Sequence, residues 1–573
     1  MPIDDFPTVM PGMQSRSPAR ALRTIAAFGG FAVLIAAYLL IGVVGHDPWK
    51  QDEPYVFGIA LDILRSGDWV VPTIAGEPFV EKPPLYYLLA AFCAWLGSPL
   101  LALHDAARLA SAVCTGATML CAARAARVVW GRRVSMATCM LVAGTLGLLL
   151  PARQMLPDLA LLAGFAMAFV GLVEAGRDGR SAAVWLGTGA GLAFLGKGLI
   201  GPGALALASL LVMIDADFRR ASYVRMLAKS ALFALPWIVI WPVALYLRSP
   251  DLFVEWFWHN NIGRFTGFAV PRLGASHLKG FWWYTLLWFT FPVLPLALLA
   301  LRRIRTVRQT RFRSVAVATA GVFGAVLLSA ASARETYALP LLVPLAVLAA
   351  GAMRPLDDRL DRRLAWAAAA AWGPLILWLV AIWATRDQPG LVFGSLLVAK
   401  RLPLSAALPQ NALLWWSVTS ALVVAGAVAV LASPHLRIPR WLVVWVAGID
   451  LALCALLVLW LPWLDHAKSY RQVFESIAHA VPERPACMDS LGLGESERAM
   501  LEYEAALRTH RLETGPSAGC PWLLVQGRDW VPSGEYATGW TLVWSGHRPG
   551  DDNELFRIYR QQAPEAHAAL ERH

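Results

Sequence analysis

The chain has 573 residues, 57% of them hydrophobic and only 16% charged. That balance excludes a soluble multi-domain protein: the apolar residues come in blocks of about 15 to 25, near the roughly 20 that carry a helix across a bilayer. The net charge of +11 does not imply a nucleic-acid partner, because the arginines fall in short loops between the blocks, where the positive-inside rule puts them. The 26 tryptophans suit interfacial anchors and pocket walls.

In chain order, a tail of residues 1–23 carries Arg16, Arg20 and Arg23 before an apolar run over 24–44. The run is long for a signal-peptide core and lacks a clear small-residue cleavage site, so it is expected to be a retained first span with the N-terminus in the cytoplasm. Further spans are expected at 105–129, 134–151, 159–175, 182–196, 199–214, 230–248, 281–300, 314–332, 338–353, 364–385, 409–432 and 441–462, thirteen in all. The basic loops test this count. Arg132/Arg133, Arg177/Arg180, Arg219 to Lys229, Arg302 to Arg313, Arg354 to Arg363 and Arg437/Arg440 all fall on the cytoplasmic side. This holds provided that 85–97 (LYYLLAAFCAWLG) does not cross. As a helix it would reach only roughly 20 Å, so it is expected at the outer interface or as a re-entrant segment.

The expected organisation is therefore a cytoplasmic tail (1–23), an all-α membrane domain (24–462) and a small soluble α/β domain outside the cytoplasm (463–573). In the last, helices are predicted near 468–480 and 495–508, with strands at WLLVQ and WTLVW. Cys93, Cys114, Cys121, Cys139 and Cys454 lie in apolar segments and read as packing residues. Cys487 and Cys520 lie in the polar C-terminal region. Outside the cytoplasm they can bond to each other, but spacing alone does not show that their Cβ atoms meet.

The same count puts Asp52 and Glu53, Glu81 and Lys82, Arg153 and Asp158, Lys197, the stretch Glu255 to Arg264, and Arg334 to Tyr337 on the outer side. Ionisable groups near a bilayer usually face a cavity or a partner, so these loci suggest a site built by loops above a helical scaffold. Each has a plainer local reading. Asp52 can cap a helix that Pro54 begins. Lys82 can snorkel at the interface, and Asp158 suits a helix N-terminus. Lys197, between Gly196 and Gly198, is harder to dismiss, since flanking glycines let backbone approach a ligand. Gly187 and Gly191 read as helix-packing residues, and His259 as an interfacial hydrogen-bonding residue. No paired His or Cys spacing typical of zinc occurs, no P-loop is found, and no metal or cofactor is expected.

Taken in order, DEPYVFGIALDILRSGDWVVP (52–72), GEPFVEKPPLYYLL (76–89), Arg108, Asp158, FLGKG (194–198), WFWHNNIGRF (256–265) and RETYALPLLVP (334–344) resemble the superfamily of protein-O-mannosyltransferases and bacterial lipid A aminoarabinose transferases. The motifs cover about residues 20–350. The acidic pair followed by Gly-x-Pro and Lys-Pro-Pro-Leu is the most specific part. The chain departs from the pattern at Pro54-Tyr55-Val56, at Gly196 where relatives often have Thr, and at Ala333-Arg334-Glu335 where relatives often have Ser-Lys-Leu. The last two touch the cavity and bear on the sugar and acceptor.

The resemblance implies a GT-C fold and a monomeric, multi-pass enzyme of the bacterial inner membrane, with its active site and C-terminal domain facing the periplasm. It implies a donor sugar on polyprenyl (undecaprenyl) phosphate, lipid A or another glycolipid as acceptor, membrane lipids as surroundings, and inversion without a metal. Lys82 and Arg264, helped by Lys197 and Tyr337, would hold the donor phosphate. Asp52, with Glu53 and Asp158, would be catalytic. Asp52 would act as base toward a hydroxyl acceptor, or Asp52 and Asp158 would bind the amine of an amino sugar. Tyr55, Glu81, Tyr86, Asn260, Arg334 and Glu335 would line the substrate cavity. Rival readings are transfer of another sugar to a different glycolipid or protein, a flippase, and a scaffold. A flippase predicts paired repeats or charges midway along spans, and neither is evident.

Overall fold

The structure is a computed structural model and describes residues 18–50, 52–175, 181–268, 281–302, 304, 306–329, 334–353, 357–385, 411–433, 436–481, 485, 487–527 and 539–562. The tail 1–17, Arg177, Arg180 and Arg354 lie outside the described residues.

The helices are α1 (Pro18–Leu40), α2 (Glu53–Ser66), α3 (Leu85–Gly97), α4 (Leu103–Trp130), α5 (Ser135–Ala143), α6 (Pro157–Ala175), α7 (Ala182–Lys197), α8 (Ile200–Leu211), α9 (Ala221–Arg248), α10 (Pro250–Val254), α11 (Phe281–Phe289), α12 (Val293–Leu301), α13 (Val307–Ser329), α14 (Leu342–Ala349), α15 (Asp358–Ala384), α16 (Ala412–Leu431), α17 (Arg440–Cys454), α18 (Leu461–Lys468), α19 (Arg471–Ala480) and α20 (Glu495–Ala505). Among the described residues nine helices are long and apolar enough to cross a membrane, and two bent pairs raise the number to eleven. The bends lie between Arg132–Ala143 and Leu146–Arg153 (63°) and between Phe281–Phe289 and Val293–Leu301 (82°). The stretches 182–196 and 199–214, also expected to span, form the shorter helices α7 and α8, the latter with a following 3₁₀ turn, and are not among the eleven. The chain is a multi-pass membrane protein, and α3, at 13 residues, is a short apolar helix.

The buried face of the bundle is rich in small residues, as close helix packing without a hydrophobic drive requires. Gly187 abuts the backbone of Ser230 and Gly191 the side chain of Trp237, both on α9. The lipid-exposed faces of α9, α15 and α16 carry Leu, Trp and Val.

Among the described residues after α17 lie the three helices α18 to α20 and a five-stranded sheet of order β4-β3-β5-β7-β6, with β3 (Asp489–Leu491), β4 (His510–Arg511), β5 (Trp522–Gln526), β6 (Trp540–Arg548) and β7 (Asp551–Gln561). β3 runs parallel to β4 and β5, and β7 antiparallel to β5 and β6. A two-stranded hairpin, β1 (Thr73–Ile74) with β2 (Glu77–Pro78), precedes α3. Cys487 and Cys520 form a disulfide, with Cα atoms 5.2 Å apart, beside the sheet.

Candidate active site

Helix α2 begins at Glu53 with Pro54 in its first turn, and Asp52 holds the N-cap position. The Asp52 side chain makes no cap hydrogen bond. Both of its oxygens instead accept from one guanidinium nitrogen of Arg334, each at 3.1 Å. The carboxylate that local rules assign to a cap is thus turned toward a residue 282 positions away.

Lys82 is buried rather than snorkelling. Its ammonium donates to the Tyr55 hydroxyl at 2.9 Å and lies 3.6 Å from Glu81. Glu81 accepts from Arg264 through the same carboxylate oxygen. Burial pushes the Glu81 carboxyl up, but Lys82 and then Arg264 outweigh it and hold it at about 2. Burial lowers Lys82, and Glu81 more than reverses that, so the ammonium stays charged. Asp158, in the first turn of α6, pairs with Lys197 at the last turn of α7. These antiparallel neighbours therefore bring the two groups to the same end of the bundle. The Lys197 ammonium also lies 3.7 Å from the centre of the Tyr337 ring, a cation–π contact.

Gly198 ends α7 at φ +75°, a conformation that favours glycine, and a Cβ there would collide with the Asn261 carboxamide. That carboxamide accepts from Leu199 N at 3.3 Å and donates to Trp256 O at 2.9 Å, locking the turn against the π-helical segment Glu255–Gly263. Asn260 donates to Glu255 O at 3.3 Å, while its buried carbonyl oxygen has no protein partner.

These groups surround a cavity of about 370 Å³. Its polar end is Glu81, Lys82, Lys197, Asn260, Arg264 and Tyr337, and its apolar wall is Leu199 to Leu207 with Phe323, Val326 and Leu327 of α13. Asp52, Arg334 and Tyr55 adjoin the polar end, because Asp52 and Glu81 both act on the Tyr55 hydroxyl, whose acidity burial suppresses first. Glu335 is exposed at the start of the 3₁₀ turn Glu335–Leu341. Among the described residues no three His, Cys, Asp or Glu come together as metal ligands.

Two expected site residues face elsewhere. Glu53 is 1% exposed and accepts from Arg108 Nε (2.8 Å), Trp49 N (3.1 Å) and Met155 N (3.1 Å). A carboxylate so fully bonded holds α2 to α4 and is not presented to the cavity. Tyr86 is fully buried against Ser111 at 2.5 Å. Its neighbour Tyr87, which the motif reading passed over, sits in the field of Lys82, Tyr55 and Glu81 with an unpartnered hydroxyl. Arg153 is likewise structural, donating to Ile41 O (2.9 Å) and Tyr38 O (2.7 Å).

The comparisons bear on this arrangement. The family model described as dolichyl-phosphate-mannose-protein mannosyltransferase matches residues 81–246. The undecaprenyl phosphate-alpha-4-amino-4-deoxy-L-arabinose arabinosyl transferase of Pseudomonas savastanoi pv. phaseolicola is 28% identical over 341 residues, 56% of this chain and 61% of that protein. A similarly named protein of Sodalis glossinidius is 29% identical over 65% of this chain and 69% of its own length. The crystal structure of ArnT from Cupriavidus metallidurans bound to undecaprenyl phosphate superposes with a TM-score of 0.67 at 18% identity, covering 95% of this chain and 99% of that one. The chain is thus similar to members of the superfamily of protein-O-mannosyltransferases and aminoarabinose transferases. Its fold is GT-C, and the matched stretch spans less than two thirds of the Pseudomonas relative. In this GT-C chain Lys82, Asp158 and Lys197 fall inside the stretch that the family model matches, whereas Asp52, Arg264, Arg334 and Tyr337 are joined to them by tertiary structure.

Proposed function

We propose that this protein transfers a sugar from a polyprenyl phosphate to lipid A or a related acceptor on the periplasmic side of the bacterial inner membrane. The observation that carries the reading is the two-ended cavity. A cluster of fixed cations closes one end, and an apolar wall from α8 and α13 forms the rest. A lipid-linked sugar phosphate has that same division, an anionic head on a long apolar tail. The names of the Pseudomonas and Sodalis relatives support undecaprenyl phosphate as the carrier and 4-amino-4-deoxy-L-arabinose as the reference sugar.

The facing direction follows from charge. Arg132/Arg133, Arg219/Arg220, Arg225 and Lys229 lie in or beside loops at the ends of spans away from the cluster, which supports a cytoplasmic location for those loops and a periplasmic one for the site. The C-terminal segment, whose helix α20 packs against α2, shares the periplasmic side and forms the third part of the tail, membrane and soluble-domain organisation.

In the reaction, Lys82 and Arg264 bind the phosphate oxygens, with Lys197 and Tyr337 at the flank. The acceptor oxygen attacks the anomeric carbon from the opposite face. The bond from that carbon to the phosphate oxygen breaks, and polyprenyl phosphate leaves with the electron pair. A hydroxyl acceptor gives its proton to Asp52, while a phosphate acceptor is already ionised and needs no base. Displacement on one face gives inversion. The cations stand in place before charge grows on the leaving phosphate, so they favour the transition state over the ground state.

The test is to compare lipid A from cells with and without the gene by mass spectrometry, and to measure release of polyprenyl phosphate by the purified protein. Loss of one glycosyl unit from lipid A in the deletion strain, together with release in vitro, is expected. Unchanged glycolipids with no release would overturn the reading.

A further inference from the structure

Asp52 is presented by a loop and a helix that are held from two directions. On the membrane side, the Arg108 guanidinium is fully buried and donates to Glu53, Asp105, Val43 O and His46 O at 2.8 to 3.1 Å. On the other side the partners all come from residues after the last membrane helix, α17. Asp47 accepts from Ser469 at 2.6 Å and from Arg471. Asp465 accepts from Asp47 N at 2.9 Å and Trp49 Nε1 at 2.8 Å. Lys50, two residues before Asp52, donates to Glu497 at 2.9 Å and to Glu554. Those two carboxylates are themselves cross-linked. The Tyr470 hydroxyl bonds both, at 3.0 and 3.2 Å, and Arg548 Nε holds the second oxygen of Glu554 at 2.9 Å. Lys50 therefore ends in a rigid socket made by α19, α20 and the β6–β7 hairpin. Along α2 itself, Gly58 lies directly against Ala499 of α20, close enough that a Cβ would sit 2.6 Å from the alanine methyl.

Part of the site is carried differently. Asp158, Lys197 and Tyr337 ride on α6, α7 and the 3₁₀ turn before α14, all in the membrane bundle. The site thus stands on two supports: Asp158, Lys197 and Tyr337 on the bundle, and Asp52 on a strut gripped by the C-terminal residues, with Lys82 joined to that strut through Tyr55.

We propose that the C-terminal segment is a positioning element for the reaction, with Lys50, seated between Glu497 and Glu554, fixing the loop that sets Asp52 against the cation cage. The proposal rests on the transferase reading above. It gives the soluble segment a task within the active site, since reacting groups tolerate little displacement: an error of about 1 Å costs on the order of a hundredfold in rate.

The test is steady-state transfer by full-length protein in detergent, with a polyprenyl-phosphate sugar as donor. For Lys50→Met, kcat per folded enzyme is expected to fall roughly ten- to a hundredfold, while KM for the donor stays within about threefold, because Lys197 and Tyr337, at the flank of the phosphate, ride on the bundle. Lys50→Arg, whose guanidinium also bridges two carboxylates, is expected to restore most of kcat. Wild-type kcat in Lys50→Met would overturn the proposal, as would a loss confined to KM or no rescue by arginine. If Lys50→Met does not fold, Glu554→Gln keeps Glu497 as a partner and is read the same way. A smaller fall in kcat at constant KM is then expected, and an unchanged kcat overturns the proposal. Wild-type protein that releases no polyprenyl phosphate would instead overturn the transferase reading, so the two failures are distinct.

Discussion

Replacing Lys82 by methionine separates the chemistry of the site from its stability. The ammonium has three donors and spends one on Tyr55 at 2.9 Å. Its nearest carboxylate, Glu81, is 3.6 Å away and already bonded to Arg264. Two donors thus remain for a phosphate, and Glu81 keeps a cation when Lys82 is lost. The structural loss is one hydrogen bond from a charged donor in a buried setting, worth about 1.5–3 kcal/mol. The catalytic loss is a charge-assisted bond to an oxyanion whose charge grows as the bond breaks, worth about 3–4 kcal/mol, or roughly 10²- to 10³-fold in rate. Glu81 remains ionised in either protein at neutral pH, since its carboxyl, depressed to about 2 in the wild type, retains Arg264. The assay is single-turnover release of polyprenyl phosphate from a labelled donor, beside thermal unfolding in the same detergent. A rate within threefold of wild type would refute the assignment of Lys82 to the leaving phosphate. A rate loss matched by collapse of the folded fraction would refute the split between the two roles.

Three further outcomes are expected. Glu53→Gln, which removes the charge from a fully buried pair with Arg108, should destabilise the protein by about 3–5 kcal/mol, read as a fall in thermal midpoint, and an unchanged midpoint would refute its structural role. Gly198→Ala forces a Cβ into Asn261 at φ +75°, and should cost about 1–2 kcal/mol and weaken binding of polyprenyl phosphate, with unaltered affinity counting against the turn as part of the cavity. Burial, helped by Asp47, Glu475 and Asp465 against the opposing Arg471, raises Glu504 to about 7 from 4.5. An acid raised on folding binds more protons folded than unfolded, so its contribution is present below about pH 4.5 and is lost as pH rises toward 7. Glu504→Gln should therefore stabilise the protein relative to wild type at pH 8 and not at pH 5, and an equal difference at both would refute the shift.

What the sequence made legible was the scaffold and the cast of charged residues, and what it left obscure was their pairing. Apolar blocks report spans directly, because a bilayer allows few alternatives to a helix. The isolated charges Asp52, Lys82, Asp158 and Lys197 stood out because such groups are expensive at membrane ends. Pairing is a tertiary fact. Glu81 meets Arg264 across 183 residues and Asp52 meets Arg334 across 282, and no local rule reaches that far. Glu53 looked catalytic because it adjoins Asp52, yet successive residues on a helix point about 100° apart. One carboxylate therefore faces Arg334 while the next turns inward to Arg108. Tyr86 and Tyr87 repeat the point on α3: the helix phase turns Tyr86 to Ser111 and leaves Tyr87 in the field of Lys82. The strands at 522–526 and 540–548 and the helices at 471–480 and 495–505 followed from local patterns. Their contact with Lys50 did not, since Glu497 and Glu554 are ordinary surface residues by sequence.

The charge arrangement explains why the cage can exist before a ligand arrives. Asp52, Glu81 and Asp158 each have a cation from another element, Arg334, Arg264 and Lys197 respectively. The pairs brace α2, the 75–84 loop, α6, α7 and the segment after the π-helix against one another. Lys82 has only a tyrosine hydroxyl and a shared carboxylate, so the cluster carries one positive charge that its own acids do not match. A phosphodiester brings one negative charge and balances it. The departing phosphate monoester gains further negative charge at the moment the sugar leaves, and the three paired cations can follow that charge by small shifts without leaving their carboxylates unpaired. Had the cage held the cations without the acids, their mutual repulsion would have opened it. Had each acid and cation been matched, the phosphate would have had to break a buried pair to enter, at several kcal/mol. A surplus of one satisfies both conditions, and it resides on the residue at the junction of the phosphate end and the Asp52 strut.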